Sequence, residues 1–457
     1  MTVPNGLKRR EVVIIGGGMA GLAAAWALRN RDVIVLEAED RVGGRLYSLR
    51  RDPYWLNLGA GVFSGEESPV RALIREAGLE TREIPGTMMG LALNQTILSS
   101  GPVELYPLRL PLGLAARLSF LHAGVRLRLA TARYNRLAVL QPGETAAAAE
   151  ERLFKFEGDR SFKEFLGPLH PEVEAIFRCT AANRIGAELE DLSATAGIET
   201  FAYQAAGKAS RLSHNLLGGS AGLPEALAEQ MDGRLCTGTI VSRVELDAAG
   251  VAITYTRHGK QHRLLADAAI VATPADIARR IIHDLPNELA QALGAVRYGS
   301  AVLLAVLTGE EAAMPYDKIY ALHTPKRRVT ILINVASTLR QGGPRTPGGS
   351  LLLYAGGNLA REIFGEPDSV IERLFLDELF SLYPETKNII RETVVKRWER
   401  IVPYSYPGRY KLQPELNRSL GRILLAGDYL GSWANMEVAV SSGQRAAEQA
   451  RTWLVKA

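Results

Sequence analysis

Cysteine is nearly absent from this chain of 457 residues. Cys179 and Cys236 belong to no CxxC and no Cys/His cluster, so a disulfide framework and a structural zinc site are both excluded, and no metal centre is expected. Long apolar runs are missing too. Stretches such as Ala301–Leu307 fall far short of the ~20 residues that a membrane-spanning helix needs. The start, Met1 to Arg10, is charged and lacks an apolar stretch, so no signal peptide is read and the cytoplasm is the expected location. Histidine is scarce: His122, His170, His214, His283 and His323 stand apart and read as surface or hydrogen-bonded residues, not as a catalytic group. Between Leu105 and Gly143 there is no Asp, Glu or Lys, yet there are arginines at 109, 117, 126, 128, 133 and 136.

What is present is ordinary for a globular protein. Hydrophobic residues make up 47% and charged residues 23%, which excludes wholesale disorder, and the length suits roughly two domains. The net charge of +5 rests on arginine and is too mild to predict a nucleic-acid partner.

Glu11–Ile15 reads as a buried parallel strand, Met19–Arg29 as a helix and Asp32–Glu37 as a second buried strand: a βαβ unit. Residues 90–210 read as mostly helical, with breaks at Pro102, Pro107, Pro111 and Pro142. Pro224–Met231 is expected to be a helix and 235–246 a strand, paired in a hairpin with 251–255. Residues 268–273, 296–307, 328–336, 350–355 and 422–428 read as further strands. Residues 367–383 and 437–454 read as helices, and Gly342–Gly349 as an exposed loop.

Between the first strand and helix, Gly16-Gly-Gly18-Met19-Ala20-Gly21 fits G-x-G-x-x-G. Gly16 permits a tight turn, Gly18 admits a pyrophosphate to the backbone, and Gly21 lets the helix approach the strand. The helix N-terminus offers N–H groups and partial positive charge to phosphate. Glu37, closing the second strand, is placed to accept both ribose hydroxyls and to repel a 2′-phosphate, which disfavours NADP. The motif alone does not choose between NAD and FAD.

Three further stretches do. Glu37-Ala38-Glu-Asp-Arg-Val-Gly43-Gly44-Arg45, Leu58-Gly59-Ala60-Gly-Val62 and Leu425-Ala-Gly427-Asp428-Tyr429, with Asn435-Met436-Glu-Val-Ala-Val-Ser-Ser-Gly443, together resemble the flavin amine oxidase superfamily. That group includes monoamine oxidases, protoporphyrinogen oxidases and plant-type phytoene desaturases. Gly218–Leu227 and Arg397–Trp398 also fit, so the resemblance brackets the whole chain.

The resemblance implies an α/β fold: a Rossmann-like FAD-binding domain assembled from 1–88, 211–290 and 415–457, and a mixed α+β substrate domain from 89–210 and 291–414. It implies that Gly43, Gly44 and Arg45 line the pyrophosphate and flavin, that Gly59 and Ala60 face the flavin, that Val241 meets the adenine, that Asp428 accepts from the ribityl chain, and that the Met436 N–H faces the flavin. Two positions depart from the family pattern: Glu39 where arginine is common, and Val438 where glycine is common.

The reaction implied is a two-electron oxidation of a small organic substrate by hydride transfer to flavin N5, with O₂ or another acceptor taking the electrons. C–C desaturation of an apolar substrate, protoporphyrinogen-oxidase-like chemistry and a redox-neutral isomerase or cyclase stay open. Amine oxidases of the superfamily place a lysine, bridged through water to flavin N5, where Leu303 or its immediate neighbours on the 298–307 strand stand, and there is no lysine between Lys260 and Lys318. An apolar side chain holds no bridging water, so either slow reaction of reduced flavin with O₂ or a water held by other groups is expected. The family's tyrosine before M-E-G is Asn435, and the stretch where some relatives attach flavin to cysteine reads Trp398–Tyr404 without one, so the FAD is expected to be noncovalent. Leu303, Trp398, Tyr404 and Asn435 are the pocket candidates, with Tyr406, Tyr429 and Trp433 nearby, and none has an assigned acid or base role. The arginine-rich 105–143 is compatible with peripheral membrane contact, an anionic substrate funnel or a solvated face. Its arginines spread around a helical wheel, with Arg117 and Arg128 nearly opposite Arg126 and Arg133. Oligomeric state is not read.

Overall fold

The computed structural model describes residues 9–454 apart from 66, 87–88, 102–104, 206–211, 232, 249, 341–344 and 433. Part of the 342–349 loop and Trp433 therefore lie outside the described residues.

Two seven-stranded sheets organise the chain. The first runs in the order Leu235–Cys236, Val33–Leu36, Arg9–Ile15, Lys260–Val271, Gly250–Arg257, Thr239–Asp247, with Ile423–Leu425 also pairing Lys260–Val271. Its centre is parallel, with Val12 opposite Val33 and Ala268, and Ala269 opposite Ile423. Strands buried on both faces need continuous apolar runs, and Val12–Ile14 and Ala268–Val271 are wholly buried. The expected strand over 235–246 is instead two. Gly238, at φ +59°, turns the chain between them, and the first piece pairs Val33–Leu36 while the second forms the hairpin.

The helix Met19–Ala27 packs against the closing helix Met436–Leu454. Gly443 makes this possible, because a Cβ there would stand 2.0 Å from the Ala20 carbonyl oxygen. Gly443→Ala forces rigid backbone apart, and the expected loss is about 3 kcal/mol, at the upper end for overpacking, read as a lowered thermal midpoint. An unchanged midpoint would contradict this packing.

The second sheet runs Ile390–Trp398, Ala301–Thr308, Gly349–Gly356, Ile331–Asn334, Ala321–His323, Gly90–Leu93, Thr96–Leu98. The start of the supposedly helical 90–210 stretch is thus a hairpin, turned at Asn94 with φ +55° and joined in parallel to Ala321–His323. Helices follow, from Tyr106–Arg109 through Leu114–Leu137 to Ala194–Ala205, around their own apolar core. One face of the second sheet is covered by the helix Asp368–Leu382 through Ile371, Phe375 and Leu379. The opposite face, with Leu303, Tyr354 and Trp398, packs on Trp55, Leu56 and Leu58 from the N-terminal part of the chain.

Candidate active site

The glycine turn is built as its residues require. Gly16 has φ +107°, and a Cβ on it would press on the Ala272 carbonyl oxygen at 2.7 Å. A Cβ on Gly21 would lie 1.9 Å from the Gly16 oxygen. Gly18 differs, because a Cβ there would meet nothing within 4 Å: this glycine faces open space. Gly44 lies alongside it, and Gly18 bridges Gly43. The N-terminus of the Met19–Ala27 helix is therefore an open backbone cradle with the polarity an anion such as pyrophosphate needs.

Glu37 is folded over this cradle. Its two carboxylate oxygens accept from the Gly17 N–H and, at 2.8 Å, from the Glu39 N–H. Burial raises its pKa, opposed by those backbone hydrogen bonds. Ala38 is exposed beside it. Glu39, the acid at the family's arginine position, pairs with Arg41 at 2.9 Å, and Arg41 lies over the Tyr47 ring at 4.2 Å. Val241 is buried at the bulge in its strand.

Arg45 joins the two ends of the chain. Its guanidinium donates to Asp428 at 2.8 Å and to the Ile401 carbonyl at 3.1 Å. Asp428 is buried directly after Gly427, whose N–H donates to Ser442 at 2.9 Å. The Arg45 carbonyl accepts from Ala60, and a Cβ on Gly59 would strike it at 2.1 Å. Asn57 and Asn215 hold the turn from below by donating to the carbonyls of Gly59 and Gly61 at 3.0 and 2.7 Å. Neither asparagine was singled out in the sequence, where nothing distinguishes a turn-bracing asparagine from a solvated one.

At the start of the closing helix Met436 is partly buried, and Asn435 accepts from the Val438 N–H at 2.9 Å as the N-cap. Val438, in the family's glycine position, packs against Gly431. Glu437 accepts from Ser68 and the Val70 N–H, tying this helix to the helix Pro69–Glu76.

The aromatic candidates separate. Trp398 is buried on the inner sheet face and donates its indole N–H to the Leu58 carbonyl at 2.7 Å. Tyr404 is partly buried against the helical core. Tyr406 donates to the Ala295 carbonyl at 2.9 Å, which makes it a strut. Tyr429 is packed into the core of the first sheet. The lone histidines behave as expected. His323 is buried and hydrogen-bonds Asn183 at 3.0 Å, and its pKa is pushed down to about 4 by desolvation. Burial likewise pushes the Cys179 thiol up to about 12, which disfavours the thiolate.

Leu303 is buried, and its direct antiparallel partner is Lys396. Directly opposed residues share a face. The Lys396 ammonium lies over Trp398 at 4.5 Å and Tyr47 at 5.4 Å. Its pKa is lowered, first by desolvation and then by Arg41, with Glu39 opposing. Nothing local in the sequence marks this lysine, because only strand register sets it opposite Leu303.

The open glycine cradle and the Glu37 carboxylate beside it suit a dinucleotide, and the Arg45–Asp428 pair adds charged groups of the right chemistry for FAD. A profile of the flavin containing amine oxidoreductase family matches residues 19–451. The chain belongs to this family. It is an FAD-dependent oxidoreductase. An L-amino-acid oxidase of Demansia vestigiata is 23% identical over 97% of this chain and 88% of its own length. Putrescine oxidase of Kocuria rosea is 47% identical over a shorter region, 16% of each chain. Among solved structures, cyclohexylamine oxidase from Brevibacterium oxydans superposes with a TM-score of 0.78 at 20% identity, covering 98% of this chain and 100% of that one. Putrescine oxidase bound to putrescine gives 0.76 at 19% identity, covering 97% and 99%. These structures share the fold.

Proposed function

We propose that this enzyme oxidises an amine at its C–N bond, with O₂ as electron acceptor and FAD held without a covalent bond. The observation that carries the reading is the group formed by Tyr47, Trp398 and Lys396 on the sheet face that meets the Leu58–Gly61 turn. Aromatic faces there already hold a cation, as an amine pocket requires. The surroundings that lower the Lys396 pKa act on a substrate ammonium in the same direction, toward the neutral amine that can yield a hydride. FAD, when bound, supplies the two-electron acceptor. The chain positions the substrate carbon and keeps water out. Amine oxidation leaves an imine, which water releases as a carbonyl compound.

The nucleotide domain is assembled from 1–88, 211–290 and 415–457, and the substrate domain from 89–210 and 291–414, with the flavin at their seam. Glu37 holds the ribose, Gly16 to Gly21 with Gly43 and Gly44 hold the pyrophosphate, and Arg45, Gly59, Ala60, Asp428 and Met436 surround the flavin. Two buried free cysteines fit a reducing, cytoplasmic setting.

The test is a panel of amines, amino acids and polyenes scored for peroxide and for ammonia or carbonyl product. Amines should give matched amounts of peroxide and product. A polyene turned over without nitrogen release would establish desaturation instead.

Lys396 takes the place of the absent lysine at Leu303 by standing on the neighbouring strand, where its charge can stabilise negative charge and hold a water. Lys396→Met should slow reoxidation of the dithionite-reduced enzyme by O₂ about tenfold, equivalent to about 1.4 kcal/mol, with FAD occupancy unchanged. Equal reoxidation rates in stopped flow would remove Lys396 from this role.

A further inference from the structure

The helix Leu114–Leu137 is apolar on the wrong side. Its inward face is made of small or modest groups, with Ala116, Ala123, Leu127, Ala130, Thr131 and Tyr134 buried. Its outward face carries Leu114, Leu118, Leu121, Val125 and Leu129, between 40% and 76% exposed. Their spacing of three and four residues makes one stripe, roughly 22 Å long at the rise of an α-helix. Leu105 and Leu108 extend it at one end, Val139 and Leu140 at the other. Among the described residues, the only exposed large hydrophobic side chains outside this stretch are Ile97, Ile240, Leu246 and Trp453. A contiguous exposed apolar surface rimmed by polar groups marks an interaction site.

The rim is basic. Arg128 and Arg136 are exposed beside the stripe, and residues 105–143 contain no acid. Arg126, which a helical wheel sets opposite Arg117 and Arg128, is turned inward and donates to the carbonyls of Phe165 and Leu166 at 2.9 and 3.1 Å. Next to Leu129 a cavity of about 330 Å³ is lined by Arg126, Arg133 and Arg160, with Glu157 paired to Arg160.

We propose that this face docks on an anionic lipid bilayer, with the leucine stripe in the acyl–headgroup boundary and the arginines on lipid phosphates and carboxylates. Charge selects this occupant over a second copy of the chain. A two-fold interface through the stripe sets one basic, acid-free helix against its own copy, like charge facing like charge. The surface is also a convex helix, suited to lying in a membrane surface and not to enclosing a peptide. Among the described residues no helix is long and apolar enough to cross a membrane, so the contact is peripheral.

The test uses the full-length flavoprotein and sedimentation with phosphatidylcholine vesicles, with or without phosphatidylserine. Binding is expected only with phosphatidylserine present, weakening as salt rises. The double variant Leu118→Glu, Val125→Glu should lose about tenfold or more of the partitioning while retaining bound FAD and its thermal midpoint. Wild-type protein that ignores anionic vesicles at low salt, or a variant that binds them as well as wild type, overturns the proposal. So does a wild type that is dimeric and indifferent to vesicles but becomes monomeric in the variant, because the second copy is then the occupant.

Discussion

Glu37→Ala should purify largely free of FAD. The Glu37 carboxylate is held by the N–H groups of Gly17 and Glu39, so it is aimed before any ligand arrives and no rotamer freedom is lost on binding. Burial raises its pKa, which sharpens the demand for hydrogen-bond donors. Each charge-assisted bond to a ribose hydroxyl contributes roughly 1.5–3 kcal/mol, and losing two is worth at least about 3 kcal/mol, or a hundredfold in FAD affinity. Glu37→Gln retains an acceptor and should fall between. The check is FAD titration of apoprotein followed by the change in flavin fluorescence. Full occupancy of Glu37→Ala at stoichiometric FAD would show that this acid does not hold the ribose.

Arg45→Ala should be more damaging to the fold. Arg45 and Asp428 are 383 positions apart and close the nucleotide domain at 2.8 Å, with the Asp428 side chain only 8% exposed. Truncating the arginine leaves a buried carboxylate unpaired and the Ile401 carbonyl without its donor. Breaking one partner of a fully buried pair costs about 3–5 kcal/mol; the Arg45 side chain is 32% exposed, which screens the pair and lowers the expected loss to roughly 2 kcal/mol. We expect a lower thermal midpoint in the apoprotein and little FAD retained. The double variant Arg45→Met, Asp428→Leu removes both charges and should recover much of the stability without recovering FAD binding. Recovery of both would mean that the pair is structural only.

The βαβ unit and its glycine turn were legible because their determinants are local. Gly16, Gly18, Gly21 and Glu37 lie within one βαβ unit, and each glycine is required by a backbone clash or an open face that spacing alone implies. Asp428 and Arg45 are far apart in sequence, and only the family resemblance joined them. Asn435 carried a further readable signal, an asparagine directly before a helix, and its side chain caps that helix. Lys396 was not legible. Its place opposite Leu303 depends on the register of two strands about ninety residues apart, and no local pattern encodes register. The exposed leucines were visible as leucines, but the alternation of inward alanines and outward leucines needed the helix to be docked first.

We propose a noncovalent FAD enzyme that takes electrons from amines. Anaerobic mixing of the purified yellow protein with a primary amine tests it most directly. The visible flavin absorbance should bleach, return on admitting air with formation of peroxide, and appear in the supernatant as free FAD after acid precipitation. Flavin that stays oxidised under every amine while a polyene or porphyrinogen bleaches it, or colour that remains with the precipitated protein, would contradict the account.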